Sequence, residues 1–158
     1  MIPNNRAFDG KNNFQHDGIT YYRWHYLRQR GEYSIRFRIV SADSPHKQAI
    51  ALFFADFKGA LFLDRKPMKI LKGFRHYIFD EDHLRAGFEI SVNCEEGFLF
   101  FGNASQTDVG IYHSGAFGCA FWIEVLSDNH YRFHCNDHEY DDDFNDLVFD
   151  MVINEGQR

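Results

Sequence analysis

The sequence predicts an all-β fold, a jelly-roll-like sandwich of two antiparallel sheets. Three observations support this prediction: apolar residues alternate with polar ones, short apolar runs recur about every ten residues, and turn-forming residues separate the runs. Aromatic residues make up 18% of the chain and only 3 of its 158 residues are proline, a composition that argues against disorder. A chain of this length is expected to form a single domain that spans residues 1–158.

The strands follow from the alternation of side chains. In segment 33–40 the odd-numbered residues are apolar and most even-numbered residues are polar, as in a strand with one buried face. Segment 49–54 is apolar throughout, so this strand is expected to be covered on both faces. Further strands are predicted at 60–63, 74–79, 88–93, 98–101, 120–125, 131–135 and 147–153.

The connections carry their own signals. One short helix is predicted at 80–85, with Asp80 as its N-cap. Residues 1–18 are polar and are expected to form a loose arm or a docked edge segment. Turns are predicted at Ser44-Pro45, Lys58-Gly59, Glu95-Glu96-Gly97 and Ser127-Asp128-Asn129.

The net charge of −6 is concentrated near the C-terminus. Residues 133–157 contain eight Asp or Glu and no Lys or Arg, which leaves 15 acidic against 17 basic residues elsewhere. A nearly neutral body argues against nucleic-acid binding, because that function requires a basic face. No apolar run reaches the roughly 20 residues needed to span a bilayer, and the polar N-terminus does not resemble a signal peptide.

The three cysteines are Cys94, Cys119 and Cys135. Their odd number and the absence of a C-x-x-C motif argue against a dense disulfide framework and against a thiolate zinc site. They are expected to pack as small apolar residues, and one disulfide remains an alternative.

The segment 137–150 holds seven carboxylates without a Lys or Arg, so its charges repel one another unless a cation or a basic partner neutralises them. Carboxylate and amide oxygens at short spacing are what Ca²⁺ requires. Asp141, Asp143 and Asn145 alternate along the chain, so their side chains can face the same side. Asp137 and Asp146, at the two ends of the loop, can complete the set of ligands around the ion. The predicted calcium ligands are Asp137, Asp141, Asp143, Asn145 and Asp146.

Three alternatives to this calcium site were considered. The loop is not an EF-hand, because Asp146 stands where Gly is required and Val152 where Glu is required. It could be an ordinary solvated acidic turn between two strands. A zinc site is the other alternative, and its ligands would come from His130, His134, Cys135 and His138.

Two partial resemblances extend this interpretation. The stretch 141–149 resembles the D-x-D-F-N-D-hydrophobic signature of a bacterial extracellular domain family of unknown function, found in secreted and surface proteins. It covers about a dozen residues and implies a β-rich, Ca²⁺-binding module with an extracellular or cell-surface location.

The chain also looks like the soluble galactose-binding bacterial lectins of the PA-IL type, small jelly-roll sandwiches in which Ca²⁺ contacts the sugar directly. Asn136-Asp137 and Asn145-Asp146 before the last strand resemble the metal loop of that family. Strand 35–40 with the loop that contains Asp43 is similar to the segment that supplies a backbone carbonyl to the metal. His46 and Gln48 resemble the family's sugar-contacting His and Gln.

The departures from the lectin family limit what can be transferred. The loop of this chain is longer and more acidic, Asp146 replaces the second Asn, and Asp141 stands where a backbone carbonyl serves in the family. The resemblance therefore implies carbohydrate binding without implying which sugar. Tyr140, inside the acidic loop, is a further candidate for contact with a sugar ring.

These features predict a non-enzymatic, calcium-dependent carbohydrate-binding module, with Asp43, His46, Gln48 and Tyr140 near the sugar. A lectin with shallow sites gains avidity from several copies, so a homo-oligomer is expected. The alternative is a calcium-stapled structural or protein-binding domain of a surface or assembly protein. An enzyme is disfavoured because no nucleophile or phosphate-binding motif is present, although paired carboxylates could involve Asp108 or Glu124.

Overall fold

The computed structural model describes residues 12–107, 110, 112–114, 119–137 and 143–155. These residues form twelve strands and one short helix. In chain order the elements are β1 (Asn13–His16), β2 (Ile19–Tyr22), β3 (His25–Leu27), β4 (Gly31–Ala42), β5 (Gln48–Leu63), β6 (Lys66–Pro67), β7 (His76–Asp80), α1 (Glu81–Ala86), β8 (Phe88–Gln106), β9 (Tyr112–Ser114), β10 (Ala120–Ser127), β11 (His130–Asn136) and β12 (Leu147–Glu155).

All the strand pairs in the described residues are antiparallel. The main path of hydrogen-bonded neighbours runs β1-β2-β10-β11-β12-β4-β8-β5-β6. β3 and β9 pair with β8, and β7 pairs with β5. The predicted all-β sandwich is confirmed, with the difference that its two layers are parts of one continuous sheet.

The two layers are joined by β5 and β8, which are 16 and 19 residues long. Both strands bend where their register shifts, between Ala55 and Gly59 of β5. Gly97 lies at this corner with φ of +70°, and a Cβ there would collide with the backbone oxygens of Ala55 and Asp56. Glycine is therefore required where the paired strands cross from one layer to the other.

Aromatic rings fill the space between the layers. Phe101, in the second half of β8, is completely buried and lies 5.4 Å from the ring centroid of Phe133 on β11. Phe133 stacks on Phe149 of β12 at 4.8 Å. The first contact joins β8 to β11, which are not neighbours in the sheet, and the second is a cross-strand pair of the adjacent strands β11 and β12.

Three sequence predictions require correction. The predicted turns at Lys58-Gly59 and Glu95-Glu96-Gly97 are wrong, because these residues form the bend inside β5 and β8. The predicted strand at 74–79 begins later, at His76, and Phe74 is exposed in the turn before it. Strands β1, β2, β3, β6 and β9 were not predicted, because they are only two to four residues long.

The helix and the N-terminal segment fit the sequence predictions more closely. Asp80 caps α1, and its side chain accepts a hydrogen bond of 3.1 Å from the backbone N–H of His83. Residues 13–16 form the edge strand β1 against β2, in agreement with a docked segment. Within the described ranges no helix is long and apolar enough to cross a membrane.

Candidate metal and ligand site

Six polar or charged side chains are buried in the described part of the chain, and they gather at one end of the core. We call them the buried polar cluster: Gln48, Asn103, Ser105, Asn136, Asp137 and Asp146. Gln48 begins β5 and lies opposite Ser105 of β8. Asn136 ends β11, and Asp146 immediately precedes β12. The cluster therefore unites four strands and the predicted calcium loop.

The ends of the acidic loop are fixed by pairing of the flanking strands. Cys135 of β11 lies opposite Leu147 of β12, so the chain leaves and re-enters the sheet at the same level. The backbone N–H of Asp137 donates a hydrogen bond of 2.9 Å to Oδ2 of Asp146. This bond closes the loop and brings the two predicted terminal ligands together.

Phe144 anchors the loop from outside the main core. Its ring is only 6% exposed and lies 4.8 Å from the ring of Tyr21 on β2. The backbone of Phe144 has φ of +52°, a conformation that bulky side chains rarely adopt. The apolar contact with Tyr21 compensates for that conformation and holds the following Asn145 and Asp146 in place.

The carboxylate of Asp137 is completely buried and is contacted by Ser44 of the β4–β5 connection and by Gln48, the first residue of β5. The Ser44 hydroxyl donates a hydrogen bond of 2.5 Å to Oδ2 of Asp137. Nε2 of Gln48 lies 3.5 Å from the same oxygen and donates to the His46 carbonyl at 2.9 Å. Hydrogen bonds to a charged acceptor are stronger than neutral ones, so these groups orient the carboxylate.

Oε1 of Gln48 and Oδ1 of Asn103 each lack a hydrogen-bond partner among the described residues. The two residues are 0% and 1% exposed, and Nδ2 of Asn103 donates to the Asn136 carbonyl at 2.6 Å. An unsatisfied buried acceptor costs about 1–3 kcal/mol. Both oxygens thus have capacity for another ligand at the end of the core that holds the buried carboxylates, and amide oxygens are ordinary ligands of Ca²⁺.

An exposed rim borders the cluster and consists of Asp43, Asp143 and Asn145. Nδ2 of Asn145 lies 3.5 Å from Oδ2 of Asp43, and the backbone N–H of Asn145 donates to Asp143 at 3.3 Å. The backbone N–H of Asp43 donates to the carbonyl of Asp146 at 3.1 Å. The solvent-exposed oxygens of the rim therefore lie next to the buried oxygens of the polar cluster.

Cys135 lies beside this cluster as a thiol. Burial raises the pKa of Cys135 well above its usual value, and Cys119 and Asp146 act in the same direction. Cys94, Cys119 and Cys135 are all free and buried. A raised pKa favours the protonated thiol, which is a poorer metal ligand than a thiolate.

The structure brings together most of the predicted site residues that it describes. Asp137 and Asp146 belong to the buried cluster, and Asp43, Asp143 and Asn145 form the rim. Gln48, predicted to contact a sugar, is buried beside Asp137, and the half-buried His46 lies next to it. Asp141 and Tyr140 lie outside the described residues.

Sequence analysis missed Ser44, Asn103 and Ser105 as members of the site. Ser44 was assigned only to a turn, and Asn103 and Ser105 lie beyond the predicted strand 98–101. The available signal was polarity within an apolar context, since Asn103 follows the apolar run 98–101. A polar residue at such a position is expected to have a buried partner.

The histidines of the zinc alternative contact carboxylates at separate places. His130 lies 2.9 Å from Asp150, and His134 lies 3.0 Å from Glu124. Among the residues that the structure describes, no three His, Cys, Asp or Glu side chains form a group that could hold a metal, and this holds for the carboxylates of the predicted calcium site as well as for the histidines. Glu124 is thus paired with His134, and Asp108 and His138 lie outside the described residues.

The chain matches no protein-family model, no curated protein and no solved structure.

Proposed function

We propose that the chain is a calcium-dependent carbohydrate-binding module whose ion is held at the buried polar cluster and its rim. The observation that carries this proposal is the pair of unpartnered amide oxygens, from Gln48 and Asn103, in the same buried polar cluster as the carboxylates of Asp137 and Asp146. Two carboxylates alone are a weak site for a cation that takes 6–8 oxygens. The amide oxygens of Gln48 and Asn103 and the oxygens of the rim residues would supply the other ligands of the ion.

A cation beside Asp137 would also explain the otherwise unsatisfied amides. The Gln48 amide would turn its oxygen toward the ion and its nitrogen toward the His46 carbonyl, so that both ends have a partner. The buried side of the ion would then be enclosed by protein oxygens. The rim side, at Asp43, Asp143 and Asn145, faces solvent and leaves room for an exchangeable ligand.

Vicinal hydroxyls of a sugar are the ligand class that fits this open side. Paired hydroxyls present two neutral oxygens at the spacing of two bound waters, so they can replace those waters without adding negative charge to an acidic loop. The half-buried His46, whose backbone N–H donates to the Ser44 hydroxyl at 3.1 Å, would contribute a side-chain hydrogen bond to the sugar. In this proposal Gln48 supports the ion instead of contacting the sugar.

A second candidate is a structural calcium site that fastens β12 to the sheet. The burial of Asp137 and Asp146 favours it, because an ion held mainly by these groups would be largely enclosed. The domain would then bind another protein, and no sugar would contact the ion.

Calorimetric titration of Ca²⁺ into the EDTA-treated protein, followed by a glycan array with Ca²⁺ or with EDTA, tests both candidates. We expect Ca²⁺ binding and a glycan signal that EDTA abolishes. Ca²⁺ binding without any glycan signal would favour the structural candidate. A lack of Ca²⁺ binding at millimolar concentration would contradict both.

Variants separate the buried ligands from the rim. Asp137→Asn should abolish Ca²⁺ binding, whereas Asp128→Asn, which removes an exposed turn carboxylate elsewhere, should leave it unchanged. Because Asp137 is buried, Asp143→Ala serves as a second variant whose exposed side chain is less important for folding. It should weaken Ca²⁺ binding without lowering the stability of the EDTA-treated protein.

A further inference from the structure

Phe74 is the most exposed large apolar side chain in the described part of the chain, at 98% exposure. The next, Val125, is 68% exposed. A single exposed apolar residue needs no explanation, but a Phe ring without protein neighbours at the tip of a turn is unusual in a protein whose other described aromatic side chains are all buried or half-buried.

The residues on both sides of the turn that carries Phe74 are fixed by contacts with the rest of the protein. Leu71 is buried before it, and His76 after it stacks on Phe53 at 4.7 Å. The hydroxyl of Tyr77 donates a hydrogen bond of 2.7 Å to the Lys69 carbonyl. Gly73 supplies the left-handed conformation of the turn, with φ of +71° and open space around it. The projection of Phe74 is therefore set by its anchored neighbours.

Basic residues surround this turn. Segment 65–79 contains five Lys or Arg and no Asp or Glu, in a chain whose net charge is −6. Lys69, Lys72 and Arg75 are nearest to Phe74 in sequence and all three are exposed. None of the three has an ion pair within the described residues. We call residues 69–76 the basic turn.

We propose that the basic turn docks this protein onto the surface of a bilayer that contains anionic lipid. Phe74 would enter the boundary between headgroups and acyl chains, and Lys69, Lys72 and Arg75 would contact lipid phosphates. A bilayer surface supplies both an apolar layer for the ring and negative charge for its basic neighbours. This proposal does not depend on calcium or on carbohydrate binding.

A nucleic acid would satisfy the charges but fits the shape less well. Single-stranded nucleic acids bind along grooves or sheet faces that offer several stacking rings in succession. The basic turn offers one ring at a projecting tip, which suits shallow insertion into a flat surface.

Co-sedimentation with large unilamellar vesicles tests the proposal. We expect binding to vesicles of phosphatidylcholine with about one third phosphatidylserine, little binding to pure phosphatidylcholine, and loss of binding at high salt. Binding should persist in EDTA, because the acidic loop could otherwise reach phosphates through bridging calcium. No binding to anionic vesicles, or binding only with calcium present, would overturn the proposal.

Two variants, each with a control, test whether the basic turn is the part of the protein that binds the vesicles. Phe74→Ser should weaken vesicle binding about ten-fold, whereas Val125→Ser should not change it. Lys72→Gln with Arg75→Gln should weaken it about five-fold for each charge removed. The charge-matched control is Arg36→Gln with Lys58→Gln, whose side chains are 70% and 69% exposed on other strands. Equal effects of the test and control pairs would overturn the assignment.

Insertion itself can be measured with one label. All three natural cysteines are buried, so a Phe74→Cys variant can be modified at position 74 with an environment-sensitive dye. A blue shift of its emission on anionic vesicles supports insertion. An unchanged spectrum despite vesicle binding would contradict insertion of Phe74. Binding to single-stranded nucleic acid in place of vesicles would show that the basic turn recognises a different polyanion.

Discussion

The hydroxyl of Ser44 donates a hydrogen bond of 2.5 Å to the carboxylate of Asp137, which lies 93 positions further along the chain. Ser44 belongs to the connection between β4 and β5, and Asp137 follows the last residue of β11. The bond therefore joins the connection between two central strands to the first residue of the acidic loop. It is also the shorter of the two described contacts of the Asp137 carboxylate, which is completely buried.

Replacement of Ser44 by Ala should lower the free energy of unfolding by about 1.5–3 kcal/mol, because a buried carboxylate loses a charge-assisted hydrogen bond. Urea denaturation measures this change. Ser127→Ala is the control, since the Ser127 hydroxyl bonds to Asn129 in an exposed turn, and it should change stability by less than about 0.5 kcal/mol. Equal effects of the two substitutions would show that the bond to Asp137 does not contribute to stability.

Two Phe→Ala substitutions should differ widely in effect. Phe144→Ala should destabilise the protein by about 2–4 kcal/mol, because it removes a ring that is only 6% exposed and leaves a cavity beside Tyr21. Phe74→Ala should change stability by less than about 0.5 kcal/mol, because that ring has no protein neighbours to lose. Thermal and urea unfolding would reveal the contrast, and similar losses for both variants would contradict the packing of Phe144.

Two Gly→Ala substitutions separate backbone strain from collision. Gly73 and Gly97 have nearly the same φ, +71° and +70°, but only Gly97 faces neighbouring backbone atoms where a Cβ would lie. Gly73→Ala should therefore cost about 1 kcal/mol from the left-handed conformation alone. Gly97→Ala should cost about 3 kcal/mol or more, because the corner of β5 and β8 must also open. Comparable losses would mean that the corner can relax.

His25 should make the stability depend on pH. Its ring packs between Phe101 and Phe133, and burial lowers the pKa of His25 from 6.5 to about 4. In the unfolded chain His25 binds a proton below pH 6.5, whereas in the folded protein it does not until about pH 4. Its contribution is thus fully present above pH 6.5 and is lost progressively as the pH falls toward 4.

The size of this loss should be about 2–3 kcal/mol. Urea denaturation of the natural protein and of His25→Phe between pH 4 and 7 isolates it, because other titrating groups cancel in the difference. The natural protein should lose stability more steeply as the pH falls. Parallel pH profiles would show that His25 is accessible to protons in the folded state.

Sequence patterns predicted the strands well where one face is buried and the other exposed. Segments 33–40, 120–125 and 147–153 lie within β4, β10 and β12, because alternation of side chains is a local property of a strand. The bend in β5 and β8 could not be predicted, since Lys58-Gly59 has the composition of a turn. Only the pairing of the two strands along their full length shows that both continue through the corner.

The candidate site was predictable to the extent that charge is visible in sequence. Asp137, Asp143, Asn145 and Asp146 stood out because carboxylates are concentrated near them. Ser44 and Asn103 did not, because their role depends on contacts with Asp137 and Asn136 across 93 and 33 positions. Phe74 misled the strand prediction for the opposite reason, since an apolar residue was assumed to be buried.

The long strands that bend between the layers also determine when the buried polar cluster can form. Its hydrogen bonds join residues that are 93, 89 and 33 positions apart, so several large loops must close before these groups meet. We expect such contacts to form late in folding, after the more local strands have paired. An ion that binds this cluster would therefore act on the native state alone. It would slow unfolding and leave the folding rate nearly unchanged.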